Sequence, residues 1–339
     1  MKNAGPPRVA VVGATGAAGS TLLRVLGERG FPMADLRVLA SERSAGTVVP
    51  TPRGELAVRA VTDAELRGAD IVFFAAGAGT SRRHAPGVAD AGGVAVDKSS
   101  AYRMEPAVPL VVPEVNPEAL QRHRGIVANP NCVAIPLAVV LAPLHREFGL
   151  RHVTAATYQA ASGAGRELVA ELAAQQCDDA AGREPRSDVY PHVLHGNVVP
   201  GGWAMQGDDT EEEAKVAAET RRVLDLPSLR ISVTTVRVPV AVGHSVAVWA
   251  ELDTDADADR ARRILAAAPG VVVEDDPATQ RYPTPRSVAG SDAVHVGRVR
   301  TDSSREHGLV LFVVADNLRK GAATNAVQVA ELLLGRDSA

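Results

Sequence analysis

Near its start the chain reads Arg8-Val9-Ala10-Val11-Val12-Gly13-Ala14-Thr15-Gly16-Ala17-Ala18-Gly19. The residues before Gly13 are apolar and β-prone apart from Arg8, which predicts a buried strand. Apolar side chains then recur at helical spacing as far as Leu26. Glycines between a strand and a helix let the backbone approach a pyrophosphate at the helix N-terminus. The spacing is GxxGxxG instead of GxGxxG, so the alternative is a tight turn that binds nothing.

The loops after the first predicted strands supply candidate contacts for a dinucleotide. The second strand, Asp35–Ala40, leads into Ser41-Glu42-Arg43-Ser44. An arginine with flanking hydroxyls suits the 2′-phosphate of NADP, whereas an acidic residue suits the free ribose of NAD. We therefore predict NADP, the alternative being that Arg43 is a solvated loop cation. The predicted cofactor contacts, including a glycine after the third strand, are Gly13, Thr15, Gly16, Ala17, Ala18, Gly19, Ser41, Arg43, Ser44 and Gly77.

The first part of the chain alternates strands with helices. Further buried strands are predicted at residues 69–74 and Val94–Asp97, each followed by a loop rich in glycine or serine. This alternation predicts an α/β fold with a doubly wound parallel sheet, whose ligands gather at the carboxyl ends of the strands. Arg103 lies on that rim, where it either binds an anion or is an ordinary surface arginine.

The rest of the chain has a different pattern. Strand Val153–Gln159 is followed by a glycine-rich turn and a helix. Residues 229–240 alternate and are predicted to pair as a hairpin with residues 245–252 across the turn at Gly243 and His244. An amphipathic helix is predicted over residues 318–334. These elements predict an α+β domain with a largely antiparallel sheet.

The composition restricts the class of protein. Of 339 residues, 46% are hydrophobic and 22% are charged, and the net charge of −4 gives no indication of nucleic-acid or anionic-membrane binding. Two cysteines without a CxxC pair predict no disulfide framework and no zinc or other metal. The first residues lack the apolar core of a signal peptide, and no apolar run reaches the length of a membrane span. We therefore expect a cytoplasmic protein.

Cys132 is a candidate nucleophile. It ends the polar turn Asn129-Pro130-Asn131-Cys132 and precedes an apolar run that predicts a helix. A helix N-terminus lowers the pKa of a nearby thiol, although a free cysteine is more often a small buried hydrophobe. A thiolate beside a nicotinamide suggests acyl chemistry, in which a histidine moves the proton. His244 is one candidate because it follows a strand that carries Arg237 among apolar residues, though a lone histidine is commonly structural.

Motifs spread over the chain establish a family resemblance. From Val9 to Leu334 the chain resembles the aspartate-semialdehyde dehydrogenases. The motifs that carry the resemblance are, in chain order, Gly13–Gly19, Ser41–Gly46, Ser99–Met104, Asn129–Cys132, Thr157–Gly165, Arg237–Val240, Gly243–Ser245 and Asp316–Ala323. This many motifs in the order of the family exclude a chance match.

The resemblance implies roles for individual residues. The implied catalytic residues are the nucleophile Cys132, the general acid and base His244, Gln159, which helps orient the acyl group, and Asn131, which supports the thiohemiacetal. The implied substrate contacts are Arg237 on the carboxylate, Glu212 on the amino group, and Lys215 and Arg103 on the phosphate. Ser162, Gly163 and Asn317 would lie near the nicotinamide of NADP.

The resemblance also implies domains and a reaction. Residues 1–130, completed by a C-terminal helix at 318–339, would form a Rossmann-type NADP-binding domain, and residues 131–317 a catalytic, substrate-binding and dimerisation domain. The implied reaction is the NADPH-dependent reductive dephosphorylation of L-4-aspartyl phosphate to L-aspartate 4-semialdehyde and phosphate, through a thioester on Cys132. It belongs to the biosynthesis of lysine, threonine, methionine and isoleucine. The family forms homodimers, some of which pair into tetramers.

Some positions depart from the family pattern. Val133 and Ala134 follow the cysteine where small hydroxyl residues are usual, Lys98 stands where asparagine is common, and residues 195–203 are atypical at both ends. These departures leave two alternatives: the same chemistry on another substrate, such as N-acetylglutamyl phosphate, or a non-catalytic NADP-binding protein. Glu212 argues against the first, because an acetylated amine does not need it. The intact set of Cys132, Gln159 and His244 argues against the second.

Overall fold

The computed structural model describes residues 5–336, which form two compact units. The first unit runs to Asn131 and resumes at Ala322, and the second unit runs from Cys132 to Gly321. Residues 1–4 and 337–339, the outer ends of the predicted NADP-binding domain, lie outside the described residues. Within residues 5–336, no helix is long and apolar enough to cross a membrane.

The first unit is built on a six-stranded parallel sheet. Its elements before the boundary are β1 (Arg8–Val12), α1 (Ala17–Glu28), β2 (Asp35–Ala40), β3 (Val48–Thr51), β4 (Gly54–Ala57), β5 (Arg59–Ala60), α2 (Asp63–Leu66), β6 (Ile71–Phe74), α3 (Ala78–Asp90), β7 (Val94–Asp97) and β8 (Ile126–Ala128). The strand order is β5-β2-β1-β6-β7-β8, while β3 and β4 form a separate antiparallel pair.

The alternation of side chains along β1 accounts for the helices on both faces of this sheet. Val9 and Val11 belong to a core cluster shared with the apolar face of α1. Ala10 and Val12 point to the opposite face, where they pack in a cluster that includes Val88 of α3. The predicted doubly wound, Rossmann-type sheet is therefore confirmed. The order of strands reverses between β1 and β6, which is where such sheets bind their ligands.

The second unit contains a seven-stranded mixed sheet. Its elements are α4 (Ala134–Phe148), β9 (His152–Gln159), α5 (Arg166–Ala180), β10 (Val199–Pro200), β11 (Met205–Gln206), β12 (Asp209–Thr210), α6 (Glu211–Leu224), β13 (Arg230–Arg237), β14 (His244–Glu251), α7 (Ala258–Ala266), β15 (Val271–Val273), α8 (Pro285–Val288), β16 (Val294–Thr301) and β17 (Gly308–Ala315). The strand order is β10-β13-β9-β14-β17-β16-β15. Four of its pairings are antiparallel and two are parallel, so the sheet is largely antiparallel, as predicted.

The predicted hairpin between residues 229–240 and 245–252 is wrong. β13 and β14 are not neighbours, because β9 lies between them, parallel to β13 and antiparallel to β14. The connection after β13 crosses the end of β9, where the Val240 and Ala241 carbonyls accept hydrogen bonds from the Ala161 and Ser162 amides. An alternating pattern identifies the two faces of a strand but not its neighbours, so closeness in sequence does not decide pairing.

The C-terminal helix begins later than the predicted residue 318. A turn of π-helix at Arg319–Ala323 comes first, and α9 follows at Thr324–Leu333. The Asp316 carboxylate holds the start of this segment by accepting hydrogen bonds from the amides of Leu318 and Arg319. α9 belongs to the first unit, where Ala326, Val327 and Ala330 pack in the same cluster as α1. The face predicted to be buried is buried, but the prediction of an amphipathic helix is wrong, because every residue from Thr324 to Glu331 is buried.

Candidate active site in the second unit

Cys132 lies immediately before α4, partly exposed. The N-cap of α4 is Val133, whose side chain makes no capping hydrogen bond, and the first turn of the helix is buried. A thiol in this position is close to the positive end of the helix dipole, which favours the thiolate. The structure therefore places Cys132 where the sequence predicts a reactive cysteine.

His244 is held in one tautomer by the backbone. It is 1% exposed at the start of β14, and its Nδ1 accepts a hydrogen bond of 3.0 Å from the Ala160 N–H. A neutral imidazole whose Nδ1 accepts must carry its hydrogen on Nε2. Burial holds the pKa of His244 well below 6.5, and the positive charge of Arg237 lowers that pKa further. His244 is thus a neutral ring that presents an Nε2–H donor.

Arg237 is a buried guanidinium with an available edge. It is 2% exposed at the end of β13, and its Nη1 donates a hydrogen bond of 2.7 Å to the Ala160 carbonyl. Its Nε is buried and has no hydrogen-bond partner within the described residues. A buried donor without a partner is costly, so the site suits a ligand that accepts from Nε. A carboxylate does so with bidentate geometry.

Gly163 packs closely against these two side chains. A Cβ at this residue would lie 3.0 Å from Arg237 Nη1 and 3.0 Å from both Cε1 and Nε2 of His244. His244 Nε2, like Arg237 Nε, is buried and has no hydrogen-bond partner in the part of the chain that the structure describes. Gly163, Arg237 and His244, which we call the Gly163 cluster, are therefore packed too closely for a side chain at residue 163, and the cluster contains two buried donors that have no partner among the described residues.

Gln159 and Glu212 form a buried pair next to Arg237. Gln159 is paired with Arg237 across β9 and β13, and its Nε2 donates a hydrogen bond of 3.0 Å to Glu212 Oε1. Thr157 donates a hydrogen bond of 3.1 Å to Gln159 Oε1. Lys215, one turn further along α6, forms an ion pair of 3.0 Å with Glu211 and is partly exposed. The structure thus brings Glu212, but not the Lys215 ammonium, into contact with the buried predicted residues.

Asn317 ties the chain near the cysteine to the turn before His244. Its Oδ1 accepts hydrogen bonds from the Gly243 N–H at 2.9 Å and from the Ser162 hydroxyl at 3.1 Å. Four residues later, Gly321 is packed against Cys132, because a Cβ there would lie 3.1 Å from the Cys132 carbonyl oxygen and 3.2 Å from its Cβ. One short segment therefore contacts the nucleophile candidate at one end and the histidine turn at the other.

Two predicted residues lie in the first unit, before the boundary. Arg103 is 9% exposed, and it donates hydrogen bonds to the carbonyls of Asn129, at 3.0 Å from Nε, and Lys98, at 2.7 Å from Nη2. Asn131 is 5% exposed. Arg103 therefore braces the loop that leads into the cysteine. The alternative that Arg103 is an ordinary surface arginine is therefore excluded.

The first unit contains a cradle that fits a dinucleotide. Gly13 has φ of 85°, and a Cβ there would lie 2.7 Å from the Ala75 carbonyl oxygen. A Cβ at Gly19 would overlap the Gly13 carbonyl, so the helix packs directly on the loop. α1 and α3 begin after Gly16 and Gly77, and neither helix has a side-chain cap at its N-terminus. Uncapped amides at two neighbouring strand ends suit the phosphates of a dinucleotide.

The predicted phosphate contacts lie beside this cradle. The Thr15 hydroxyl donates a hydrogen bond of 3.4 Å to the Ser44 hydroxyl, which joins the glycine loop to the turn after β2. Arg43 is exposed in that turn, and no side chain of the described residues pairs with it. Its guanidinium is therefore available to a ligand.

Some contacts of the site residues could not be predicted from the sequence. Ala160 binds both His244 and Arg237 through its backbone, and an alanine gives no signal of such a role. Trp203 and Tyr190 lie against the Arg237 guanidinium, with ring centroids 4.7 Å and 5.8 Å from its central carbon. The only signal for them was the atypical stretch that ends at Trp203.

Comparisons with known proteins agree over the whole chain. Residues 8–123 match the family described as "Semialdehyde dehydrogenase, NAD binding domain", and residues 141–320 match "Semialdehyde dehydrogenase, dimerisation domain". The aspartate-semialdehyde dehydrogenase of Synechocystis sp. is 45% identical over 98% of both chains. That of Aquifex aeolicus is 45% identical over 96% of this chain and 98% of its own. The crystal structure of aspartate semialdehyde dehydrogenase II from Vibrio cholerae complexed with ASA superposes with a TM-score of 0.94, at 40% identity over 97% of this chain and 98% of that chain.

Proposed function

The chain belongs to the aspartate-semialdehyde dehydrogenase family, and we propose how its residues carry out the reaction of that family. It is a phosphorylating aldehyde dehydrogenase that converts L-4-aspartyl phosphate to L-aspartate 4-semialdehyde and phosphate by reductive dephosphorylation. The observation that carries our residue assignments is that the Gly163 cluster contains two buried atoms without partners among the described residues, His244 Nε2 and Arg237 Nε. His244 Nε2 can donate a hydrogen bond to a carbonyl oxygen, and the nearby Arg237 guanidinium can bind a carboxylate. The two together suit a short substrate that carries both groups.

Cys132 is the nucleophile in this proposal. Its thiolate adds to the acyl carbon of L-4-aspartyl phosphate, supported by the N-terminus of α4. The bond between the acyl carbon and the phosphate oxygen then breaks. Phosphate leaves with the electron pair and takes up a proton, and the acyl group remains on Cys132 as a thioester.

His244 stabilises the oxygen of the acyl group. When bound, the nicotinamide cofactor supplies the hydride that reduces the thioester. The thiohemiacetal oxygen is then negatively charged, and the His244 Nε2–H donates a hydrogen bond to it. When the carbon–sulfur bond breaks, the semialdehyde forms and Cys132 returns to the thiolate, so His244 need not change its protonation. Acting as a base at Nε2 would require the other tautomer, which loses the hydrogen bond from Ala160.

The remaining substrate contacts are assigned from charge and burial. Arg237 binds the carboxylate through its Nε edge, and Glu212 binds the amino group while Gln159, which it contacts, orients the acyl group. Because the Glu212 carboxylate would bind a charged amino group, the site does not favour a substrate whose amino group is acetylated. Asn131 supports the thiohemiacetal. We propose that Arg103 and Lys215 bind the phosphate. Lys215 would do so by leaving its ion pair with Glu211 and pairing with the substrate.

The NAD(P)-binding domain is the first unit, and we propose NADP as its cofactor. The cradle at Gly13, Thr15, Gly16, Ala17, Ala18, Gly19 and Gly77 would hold the pyrophosphate and riboses. Ser41, Arg43 and Ser44 would hold the 2′-phosphate, since the Arg43 guanidinium has no protein counter-ion among the described residues. In the second unit, Ser162, Gly163 and Asn317 would contact the nicotinamide.

The dimerisation domain at residues 141–320 indicates that the chain forms oligomers, and we propose a homodimer or a tetramer of two such dimers. We also propose that the protein is cytoplasmic, where reduced thiols keep a nucleophilic cysteine active. As an aspartate-semialdehyde dehydrogenase it serves amino-acid biosynthesis.

The reverse reaction tests the nucleophile. Purified protein with L-aspartate 4-semialdehyde, phosphate and NADP is expected to form NADPH, followed by absorbance, and the reaction should require phosphate. Cys132→Ala should abolish turnover while the affinity for NADP stays within about twofold, because the cradle lies in the first unit. The matched control is Cys177→Ala, which changes the exposed second cysteine and should keep full activity. Turnover by Cys132→Ala would exclude the thioester route.

A further inference from the structure

Arg237 is buried without a protein counter-ion. Its side chain is 2% exposed, and no acidic residue of residues 5–336 pairs with it. Only Nη1 is fixed, by the Ala160 carbonyl at 2.7 Å. A guanidinium held at one nitrogen is free to tilt its plane, and a tilted plane no longer offers two parallel N–H groups to a carboxylate. A further contact must therefore fix the plane of the guanidinium if Arg237 is to be oriented before a carboxylate binds.

Two aromatic rings supply that constraint. The Trp203 ring lies with its centroid 4.7 Å from the central carbon of Arg237, and the Tyr190 ring at 5.8 Å. Both distances are within the range in which an aromatic face attracts a cation, and the attraction is stronger when the cation is shielded from water. The rings therefore compensate part of the buried charge and restrict the orientation of the guanidinium.

The chain around the rings is built to hold them in place. The Glu171 carboxylate accepts hydrogen bonds from the amides of Asp188 and Tyr190, and the Tyr190 hydroxyl donates one of 2.8 Å to the Gly201 carbonyl. Gly202 has φ of 84°, and a Cβ there would overlap the Tyr190 hydroxyl. The chain that leads to Trp203 is thus packed tightly against Tyr190.

The start of this segment is tied to Arg237 itself. β10 pairs with β13 so that Val199 is opposite Arg237. Because Trp203 follows β10 by three residues, the edge strand delivers the indole to the guanidinium. This is the stretch in which the sequence departs from the family pattern at Trp203.

We propose that Trp203, supported by Tyr190, is a positioning residue that aligns the Arg237 guanidinium with the substrate carboxylate and so sets the affinity for short α-carboxylate semialdehydes. The proposal rests on the function proposed above, because it takes Arg237 to be the carboxylate clamp. Trp203 itself does not take part in bond making or breaking.

Steady-state kinetics test the proposal. Trp203→Leu is expected to raise the KM for L-aspartate 4-semialdehyde roughly tenfold, about 1.4 kcal/mol, with kcat and the KM for NADP within about twofold. Trp203→Phe keeps an aromatic face and should recover most of the loss. Met205→Ala, an exposed residue two positions further on, is the control and should behave like the wild-type protein. Equal loss in the Phe and Leu variants, or a fall in kcat alone, would overturn the proposal.

A double-mutant cycle separates positioning from general damage to the fold. Arg237→Lys keeps the charge but has no planar group to align, so adding Trp203→Leu to it should change KM by less than about twofold. Additive effects of the two substitutions would show that Trp203 acts independently of Arg237 and would overturn the proposal.

A measurement without turnover distinguishes this inference from the proposed function. The chain has two tryptophans, so Trp249→Phe leaves Trp203 as the only tryptophan, and excitation at a wavelength that tyrosine does not absorb reports on it alone. Adding Arg237→Met should then shift its emission maximum by several nanometres, and an unchanged spectrum would overturn the stacking. If the wild-type protein does not oxidise L-aspartate 4-semialdehyde, the proposed function fails and the substrate role of Trp203 fails with it, while the emission still reports the stacking.

Discussion

At the scale of single residues, the site depends on what the backbone of Ala160 does. Its N–H donates to His244 Nδ1, and its carbonyl accepts from Arg237 Nη1. One residue's backbone thus sets the tautomer of the histidine and one end of the guanidinium. No side-chain substitution at residue 160 other than proline removes either hydrogen-bonding group, which protects the arrangement against variation in sequence.

The buried neutral state of His244 has a consequence for stability. Its pKa is well below 6.5 in the folded protein and near 6.5 in the unfolded chain, so between these values the unfolded chain binds more protons. Stability should therefore fall as the pH drops below 6.5, by up to about 1.4 kcal/mol per pH unit from this group. His244→Gln, which cannot be protonated, should remove that part of the slope. The measurement is urea unfolding of both proteins at pH 7 and pH 5.5, and identical slopes would contradict the assignment.

The same substitution bears on catalysis. Since His244 stays neutral above its lowered pKa, the profile of kcat against pH should show no ionisation of this group between pH 6.5 and 8. In His244→Gln the side-chain amide could still donate a hydrogen bond, so we expect a loss of about a hundredfold in kcat and no larger. A titration near pH 7 that disappears in the variant would instead favour proton transfer by this residue.

At the scale of elements, the π-helical turn at Arg319–Ala323 positions the cysteine. Gly321 lies in this turn, and a Cβ there would lie between 3.1 and 3.4 Å from the carbonyl oxygen, Cβ and Cα of Cys132. Turns of π-helix are frequent at functional sites. The turn brings the backbone of the C-terminal segment against the nucleophile, which a continuous helix from residue 318 would not do in the same way.

Gly321→Ala tests this contact. The added methyl group has to move Cys132 by a few tenths of an ångström, and we expect kcat to fall about tenfold, because small displacements of a nucleophile are costly. The control is Gly87→Ala in α3, where a Cβ meets nothing within 4 Å. This control should leave kcat unchanged and stabilise the protein by about 0.5–1 kcal/mol, measured by thermal unfolding. Normal kcat in Gly321→Ala would mean that the turn tolerates the shift.

Secondary structure was predictable where one pattern dominates. The strands Arg8–Val12, Asp35–Ala40 and Val94–Asp97 have the predicted bounds, because each is centred on apolar residues that the parallel sheet buries. The pairing of β13 was not predictable in this way. β9 occupies the place that the hairpin would need, and its insertion depends on contacts between segments far apart in sequence.

At the scale of the whole molecule, the chain enters the first unit twice and the second unit once. α9 completes the core of the first unit, whereas residues 132–321 form a separate core around their own sheet. Ligands of the first unit should therefore stabilise the unit that contains both ends of the described chain. The preference for NADP over NAD can therefore be tested by measuring how much each cofactor stabilises the protein.

NADP at 100 times its dissociation constant should add about 2.7 kcal/mol to the stability of the unit that binds it. We expect Arg43→Ala to lose most of the thermal shift caused by NADP and to retain that caused by NAD, because only NADP carries the 2′-phosphate. Arg24→Ala, an exposed arginine on α1, is the control and should keep both shifts. Equal losses with the two cofactors would exclude Arg43 as the 2′-phosphate contact.

The sequence by itself determined the doubly wound sheet, the glycine loop and the family to which the chain belongs. These depend on local patterns and on motifs that occur in family order. Only the tertiary structure decided that β9 separates β13 from β14, that Ala160 sets the tautomer of His244, and that Trp203 stacks on Arg237. The reason is physical: these features are contacts of backbone atoms and ring faces between distant segments, and such contacts leave no periodicity in the sequence.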